Sequence, residues 1–83
     1  MKVKVKLFAL LEKYLPAGAK DYQVELELDD GATAAAVIAN LGVPPELCHL
    51  ILINGKHMQL AERDSRPLTS TDTIAIWPPI AGG

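Results

Sequence analysis

The amino-acid sequence predicts an α+β domain in which one helix packs against one face of a mixed β-sheet. Alternating apolar and charged residues near the N-terminus indicate a half-buried strand, and several later segments have β-type patterns. A single segment in the middle of the chain has the apolar spacing of an amphipathic helix. The chain has 83 residues, which is the length of one domain.

The first two predicted strands carry complementary charges. Lys2–Phe8 alternates apolar residues with three lysines, and Tyr22–Leu28 alternates apolar residues with two glutamates. A short helical turn over Ala9–Leu15 is expected between them. If the strands pair as an antiparallel hairpin, the Lys and Glu rows face each other, and each opposite-charge pair contributes about 0.2–1 kcal/mol. The residues expected to face the core are Val3, Val5, Leu7, Val24, Leu26 and Leu28.

The main helix is predicted to end at Leu41 and to follow a turn at Asp29-Asp30-Gly31. Thr33 is the expected N-cap, because its hydroxyl can accept a backbone N–H that the first turn leaves unpaired. Gly42 is the expected residue after the helix, and Pro44-Pro45 prevents its continuation. The predicted apolar stripe consists of Ala34, Val37, Ile38 and Leu41.

The last part of the chain predicts three more strands. Leu50–Ile53 is apolar at every position, so either its two leucines or its two isoleucines must face outward. Asn54-Gly55 indicates a two-residue type I′ hairpin turn, and His57–Leu60 is the expected return strand. Thr73–Trp77 is the expected last strand. The remaining predictions are a loop over Ala61–Thr71 anchored by Leu68, and inward-facing Ile74 and Ile76.

The predicted order is therefore strand, strand, helix, strand, short strand, strand. One helix across a mixed sheet buries the apolar sides of both in a single core, which is the β-grasp (ubiquitin-like) architecture. Periodicity alone does not give the pairing order of the strands. We divide the chain into a β-grasp domain over residues 1–77 and an extended C-terminal tail over residues 78–83.

Charge and hydropathy narrow the classes of function. The formal net charge is -2 and no basic block occurs, so the sequence lacks the footprint of a nucleic-acid binder. No apolar run approaches the roughly 18 residues of a membrane helix, and the N-terminus does not resemble a signal peptide. We expect a cytoplasmic protein. A domain this small leaves little core for a small-molecule pocket, which typically needs about 300 Å³ or more, and this weighs against an independent enzyme.

The thiol and imidazole groups do not indicate a catalytic or metal site. Cys48 is the single cysteine, so it cannot form an internal disulfide, and this fits a reducing compartment. No partner constellation surrounds it in the sequence, and a buried structural thiol is favoured over a nucleophile. His49 and His57 lack metal-ligand spacing with Cys48 or with each other. We therefore expect no metal.

The C-terminal tail is the segment that carries chemistry. Pro78 and Pro79 remove two backbone donors and stiffen the chain where it leaves the last strand. Gly82 and Gly83 have no Cβ, so they can thread a narrow channel in which any side chain would clash. Adenylation of the Gly83 carboxylate and attack by a sulfur nucleophile would leave a thiocarboxylate. A Gly-Gly end also fits a frayed terminus or a cloning remnant, but the prolines between strand and glycines favour the chemical role.

Four stretches of the sequence match a known family in order and length: Val5–Ala9, Asp30–Thr33, Ile53–Gly55 and Pro78–Gly83. On these stretches the chain resembles the molybdopterin synthase small subunit, within the wider family of bacterial ubiquitin-like sulfur carriers. The Pro-Pro-aliphatic-Ala-Gly-Gly ending is the most specific of them, because carriers of the thiamine pathway usually lack the two prolines. The chain departs from the family pattern at Thr71, where Gly is common, and at Trp77, where an aliphatic residue or Phe is more usual.

The resemblance implies a reaction cycle whose catalytic side chains lie in partner proteins. An E1-like adenylyltransferase would activate Gly83 with ATP and magnesium, and a sulfurtransferase or cysteine desulfurase would supply the sulfur. The tail, including Ile80, Ala81 and Gly82, would then insert into the large subunit of an expected heterotetramer. There sulfur would pass to a cyclic pyranopterin precursor of molybdopterin. The chain itself would be a non-catalytic sulfur donor that binds no cofactor.

Two side chains outside the tail are predicted to bind a partner. Trp77 is expected to face away from Ile74 and Ile76, where it either anchors an interface or simply covers the sheet edge. Leu52 belongs to the strand with two apolar faces, and an exposed patch there would suit docking to an activating enzyme or large subunit. The alternative for Leu52 is burial under the Ala61–Thr71 loop.

Three hypotheses for function use Gly83. The first is the sulfur-donating subunit of molybdopterin synthase, with molybdenum or tungsten as the final metal. The second is a carrier of the same chemistry for thiamine, a thiolated tRNA base or cysteine. The third is a ubiquitin-like modifier that is conjugated to lysines of target proteins. A fourth possibility, a β-grasp interaction module, involves no tail chemistry.

Overall fold

A computed structural model of the protein describes residues 1–79. Within them, five strands form one mixed sheet and a single α-helix crosses one face of it, which confirms the predicted α+β class and the predicted order of elements. Three short 3-10 helices lie in the connections, at Ala9–Tyr14, Pro45–Leu47 and Leu60–Glu62. The main elements are β1 (Lys2–Leu7), β2 (Gln23–Glu27), α1 (Ala34–Leu41), β3 (Leu50–Ile53), β4 (Lys56–His57) and β5 (Thr73–Trp77).

The strand order across the sheet is β2-β1-β5-β3-β4. The first and last strands of the chain, β1 and β5, lie side by side and parallel, and every other pair is antiparallel. The crossover between the two parallel strands includes α1, as a parallel pair requires. This is the β-grasp architecture, and it places the end of β5 in the middle of the sheet.

The β1–β2 hairpin has the predicted charge register. Lys2 lies opposite Glu27 and Lys4 lies opposite Glu25 on the same face of the pair. The Glu27 carboxylate also contacts the Met1 ammonium at 2.8 Å. This hydrogen-bonded ion pair raises the pKa of the ammonium and lowers the pKa of Glu27. The N-terminal ammonium additionally donates to the Leu28 carbonyl at 2.8 Å, so the start of β1 is fixed to the end of β2.

The core lies between the sheet and α1. Alternate residues of β1, β3 and β5 point toward the helix, and most of their side chains are completely buried. Val24 and Leu26 of β2 also pack against the core but are only partly buried, because β2 is an edge strand. The predicted inward rows are confirmed. The buried residues of the central strands and the helix are Val3, Val5, Leu7, Ile51, Ile53, Ile74, Ile76, Ala34, Val37 and Ile38.

The two ends of α1 differ in how they are capped. Gly42 adopts the left-handed conformation at φ 74°, as predicted for the residue after the helix. Thr33 stands at the N-cap, but its hydroxyl makes no capping hydrogen bond, so that expectation is wrong. The reason is a tertiary contact, because the Ala35 N–H donates instead to the Arg63 carbonyl at 2.7 Å. A distant loop therefore occupies one of the donors that an N-cap side chain usually satisfies.

The return strand after the hairpin turn begins earlier and is shorter than predicted. Asn54 and Gly55 have φ values of 52° and 84°, as the type I′ turn requires, so pairing starts immediately at Lys56. The Met58 N–H still donates to the Ile51 carbonyl at 2.8 Å. The Met58 side chain is buried, however, and the chain then turns into the 3-10 helix Leu60–Glu62.

The loop that follows is fixed by contacts to three parts of the fold. Leu68 is buried, and its N–H donates to the Ala32 carbonyl at 2.7 Å, which confirms its predicted role as an anchor. The Arg63 guanidinium donates to the Cys48 carbonyl at 2.7 Å and to the His49 carbonyl at 3.3 Å. Arg63 therefore joins the loop to the start of β3, as well as to α1.

A buried carboxylate joins the hairpin turn to β5. Asp72 accepts a hydrogen bond from the Asn54 side-chain amide at 2.8 Å and one from the Thr69 N–H at 2.9 Å, and Arg66 lies 3.4 Å away. Asn54 in turn accepts from the Thr73 N–H at 2.9 Å. Burial alone would raise the pKa of Asp72, but the hydrogen bonds and the Arg66 charge outweigh it and hold the pKa below its usual range.

Candidate functional site: the open face of the sheet

The face of the sheet opposite α1 is not covered by any element of residues 1–79, and we call it the open face. Its register follows from the strand pairs: Lys4 lies beside Thr73, Lys6 beside Ala75, Ala75 beside Leu52, and Leu50 beside Trp77. A row of lysines from β1 thus borders a mainly apolar strip from β5 and β3. The residues of the open face that the pairs define are Lys2, Lys4, Lys6, Thr73, Ala75, Trp77, Leu50, Leu52 and His57.

The orientation of β3, which the sequence left open, is resolved by burial. Ile51 and Ile53 are buried against α1, whereas Leu50 and Leu52 are half-buried on the open face. Leu52 lines a shallow depression of about 410 Å³, and none of its lining residues comes from the Ala61–Thr71 loop. Leu52 therefore forms part of an accessible apolar surface. The depression is lined by Lys6, Phe8, Leu52, Asn54, Gly55, Thr73, Ala75 and Trp77.

Trp77 points to the open face, away from Ile74 and Ile76, as predicted. Its ring stacks on Phe8 with centroids 4.1 Å apart and planes 10° apart. Because β5 is the central strand, Trp77 covers the middle of the sheet, and the alternative that its ring covers a sheet edge is wrong. A second aromatic contact joins Phe8 to Tyr22, with centroids 6.0 Å apart and planes tilted by 32°.

The tail begins at this stacked pair. Of the two described residues of the tail, Pro78 is buried and Pro79 is exposed. Ile80, Ala81, Gly82 and Gly83 lie outside the described residues, and their predicted roles remain predictions. The open face and the root of the tail are therefore continuous through Trp77.

The candidate thiol lies away from the open face. Cys48 is buried, which raises the pKa of its thiol, and its sulfur lies 3.8 Å from the Pro44 carbonyl oxygen. An inert thiol is therefore the better description of Cys48. Within residues 1–79, no group of three or more His, Cys, Asp or Glu side chains is placed to hold a metal ion. None of the helices in this part of the chain has the length and apolar character that a membrane span requires.

A groove of about 580 Å³ lies on the helix side, between α1 and the segment around Leu60. It exceeds the space expected for so small a core because it lies at the surface, where Leu60 is 74% exposed. Its lining is mainly apolar, with Arg63 and Asp64 at one side. The arrangement contains no pair of acid and base groups suited to proton transfer.

Sequence reasoning missed two residues of the site. The alternating pattern assigns Phe8 only to the first strand, although Phe8 has the same parity as Lys6 and therefore belongs to the open face. The parallel pairing of β1 and β5 brings it to Trp77, and that pairing is not visible in periodicity. The pattern predicts Tyr22 at the start of the second strand, whereas β2 begins at Gln23 and Tyr22 is 49% exposed.

A mixed five-stranded sheet, one helix across it and an apolar open face that continues into the C-terminal tail define a ubiquitin-like β-grasp protein. The model of the ThiS family matches residues 5–83, and the chain belongs to this family. The resemblance to the ubiquitin-like sulfur carriers is thereby confirmed. No curated protein matches the chain significantly.

Solved structures of similar proteins cover almost the whole chain. The small archaeal modifier protein 1 of Methanosarcina acetivorans is 30% identical with a TM-score of 0.65, over 99% of this chain and 96% of that one. A putative molybdopterin converting factor subunit 1 of Pyrococcus furiosus is 25% identical with a TM-score of 0.63, over 95% and 98%. A chain in the complex of molybdopterin-converting factor subunits 1 and 2 of Helicobacter pylori is 22% identical with a TM-score of 0.59, over 100% of both, which supports the fold.

Proposed function

We propose that this chain carries sulfur as a thiocarboxylate on Gly83 and donates it to a cyclic pyranopterin precursor in molybdopterin synthesis. It would act as the small subunit of molybdopterin synthase, in a heterotetramer with the large subunit. The observation that carries the proposal is the continuity of the half-buried apolar strip with the root of the Gly-Gly tail. Trp77 ends the strip, Pro78 anchors the chain beside it, and Pro79 is exposed.

The chemistry divides between carrier and partners. The Gly83 carboxylate attacks the α-phosphate of ATP on an E1-like adenylyltransferase with bound magnesium, which releases pyrophosphate and leaves an acyl adenylate. A persulfide sulfur from a sulfurtransferase or cysteine desulfurase displaces AMP, and a thiol then reduces the resulting acyl disulfide to the thiocarboxylate. The carrier supplies a slim terminus and a docking surface, and it needs no cofactor of its own.

The open face is suited to docking because it is apolar at its centre and charged at one border. Exposed apolar patches on small soluble proteins mark interaction sites. Trp is enriched among the residues that dominate binding energy, and the stack on Phe8 holds its ring in place before the partner arrives. We propose that Trp77 and Leu52 contact the large subunit while Pro79, Ile80 and Ala81 lead Gly82 and Gly83 into its active site.

The similarity to the Pyrococcus furiosus protein, a putative molybdopterin converting factor subunit 1, supports this pathway. The complex of subunits 1 and 2 of the Helicobacter pylori factor supports a large-subunit partner. The two tail prolines favour the same pathway over thiamine synthesis, for which related carriers usually lack them.

The test is a turnover assay with carrier that mass spectrometry confirms to be thiocarboxylated. It is mixed with the molybdopterin synthase large subunit of the same genome and the cyclic pyranopterin precursor, and dithiolene formation is measured. Product that is lost when Gly83 is deleted supports the proposal. Charged carrier that gives no product contradicts the pathway, and thiamine, tRNA thiolation and cysteine synthesis become the candidates.

Two leucine variants test the docking surface separately. Leu52→Ala on the open face should raise the KM for the carrier about tenfold, as expected for a central interface residue. Leu60→Ala is the matched control, because Leu60 is also exposed but lies on the helix side. Equal effects of the two variants would contradict docking through the open face.

A second candidate function is conjugation to lysines of target proteins, which the similarity to the small archaeal modifier protein 1 favours. It uses the same adenylated Gly83, but a lysine amine takes the place of sulfur and forms an isopeptide bond. A search by mass spectrometry for Gly83-to-lysine linkages in cells distinguishes the two. Such linkages, lost when the adenylyltransferase is deleted, would establish the modifier function.

A further inference from the structure

Strained backbone is concentrated around one aromatic ring. Of residues 1–79, four that are not glycine have left-handed φ values, and one of them is Asn54 in the hairpin turn. The other three are Ala9 at 55°, Asp21 at 53° and Tyr22 at 64°. Ala9 directly follows Phe8, and the Tyr22 ring packs beside the Phe8 ring. Residues held in sparsely populated conformations persist only where the surroundings impose them, and they are common at functional sites.

Asp21 and Tyr22 form the centre of a tight turn. The Lys20 N–H donates to the Gln23 carbonyl at 3.0 Å, and the Gln23 N–H donates to the Lys20 carbonyl at 2.9 Å. Both central residues are left-handed, which is the type I′ geometry that Asn-Gly suits best. A large aromatic residue is unfavourable at such a position. The cost needs an explanation other than turn formation, because Gly would form the same turn more easily.

The strain places Tyr22 against Phe8. The Leu7 N–H donates to the Tyr22 carbonyl at 3.0 Å, so Tyr22 lies opposite Leu7. In a regular strand the Tyr22 side chain would share the face of Leu7, under α1. The left-handed turn instead brings its ring to within 6.0 Å of the Phe8 ring and leaves it 49% exposed. The result is a row of three rings, Tyr22, Phe8 and Trp77, that ends where the tail begins.

We propose that Tyr22 is a positioning residue for the tail: through Phe8 it holds Trp77 in the orientation that docks the partner. This deepens the proposed function and rests on it. The occupant of the surface is the large subunit that receives the tail. Residues 80–83 span at most about 14 Å when fully extended, so an active site that holds Gly83 must lie close to Pro79. The surface of that subunit therefore covers the ends of β1 and β5, where the three rings lie.

Three variants separate the effect of the Tyr22 ring from the effect of the strained backbone. Tyr22→Gly removes the ring but relieves the left-handed conformation, so the fold is retained. Tyr22→Phe keeps the ring, and Asp21→Gly relieves strain at the neighbouring position while it leaves the ring in place. Urea denaturation checks that all three remain folded. Trp77 is the only tryptophan, so its fluorescence reports directly on the stack with Phe8.

The measurement is turnover of thiocarboxylated full-length carrier by the large subunit, with KM and kcat determined for each variant. Tyr22→Gly should raise the KM about five- to tenfold, leave kcat within about twofold, and shift the Trp77 emission to longer wavelength. Tyr22→Phe and Asp21→Gly should match the wild type in all three readouts. A merely structural residue would alter urea stability without this pattern.

Three results would overturn the inference, and they are distinguishable. If wild-type carrier turns over and Tyr22→Gly has the wild-type KM, the positioning role is wrong while the proposed function stands. If thiocarboxylated wild-type carrier gives no product, the proposed function fails and the inference falls with it. A raised KM in Asp21→Gly equal to that of Tyr22→Gly would also overturn the role of the ring, because the turn geometry alone would then be responsible.

Discussion

The two faces of the same sheet differ in how they use apolar side chains. On the covered face, the strands present aliphatic side chains that are buried completely against α1. On the open face, Phe8, Leu52 and Trp77 are only half-buried, and lysines border them. Both sets come from the same strands or, for Phe8, from the residue directly after β1, and they differ in the face of the sheet to which they point. The covered face therefore accounts for the stability of the fold, and the apolar side chains of the open face remain available for a partner.

The two faces differ most clearly in burial at β3, where neighbouring residues belong to different faces. Ile51 is completely buried, and Leu52 is half-buried with its side chain on the open face. Ile51→Ala should lower the free energy of unfolding by about 3 kcal/mol, because it removes buried methyl groups and leaves a cavity. Leu52→Ala should cost about 1 kcal/mol or less. Urea denaturation of both variants measures the difference, and equal losses would contradict the division into two faces.

At the rim of the covered face, the Asp72 carboxylate joins the hairpin turn to β5. Asp72→Asn should cost about 1–3 kcal/mol at pH 7, because it disrupts the buried acceptor for the Asn54 amide and the Thr69 N–H. Asp64→Asn is the control, since Asp64 is exposed. If the Asp72 variant were as stable as the Asp64 variant, the network would contribute nothing to holding the hairpin turn against β5.

The same carboxylate gives a pH dependence with a defined sign. Hydrogen bonds hold the folded pKa of Asp72 below its unfolded value of about 3.9, so the fold favours the ionised form. This contribution is complete above the unfolded pKa and is lost as pH falls through the lower folded pKa. Wild type should therefore lose more stability than Asp72→Asn on acidification through this range, as monitored by fluorescence of Trp77. Identical acid unfolding curves of the two proteins would contradict this contribution of Asp72 to the pH dependence.

Much of the covered face was predictable, because it depends on local patterns. The alternation in Lys2–Leu7 and the helical stripe from Ala34 to Leu41 each predict their buried side, and Asn54-Gly55 predicts its turn. The open face was less predictable, since it depends on which strands are neighbours. The parallel pairing that brings Phe8 to Trp77 joins opposite ends of the chain. Tyr22 was missed for another reason, because a strained turn overrides the alternation of its strand.

The helix α1, which covers one face of the sheet, can be destabilised at its C-terminal end. Gly42 follows α1 at φ 74°, and an added Cβ would meet no atom within 4 Å. Gly42→Ala should therefore cost about 1 kcal/mol, and the cost comes only from the left-handed backbone. Ala39→Gly provides a comparison at an exposed helical position, where the cost of about 1 kcal/mol has a different origin in helix propensity. A neutral Gly42→Ala in urea denaturation would contradict the conformational argument.

The smallest effect is expected at the other end of the same helix. Removing an N-cap threonine usually costs about 1 kcal/mol, but the Thr33 hydroxyl accepts no capping hydrogen bond. The Ala35 N–H is already satisfied by the Arg63 carbonyl, so Thr33→Ala should cost less than about 0.5 kcal/mol. A loss near 1 kcal/mol in urea denaturation would mean that the hydroxyl caps the helix in solution. A neutral result would mean that the Arg63 carbonyl, and not the Thr33 hydroxyl, caps the N-terminal end of α1.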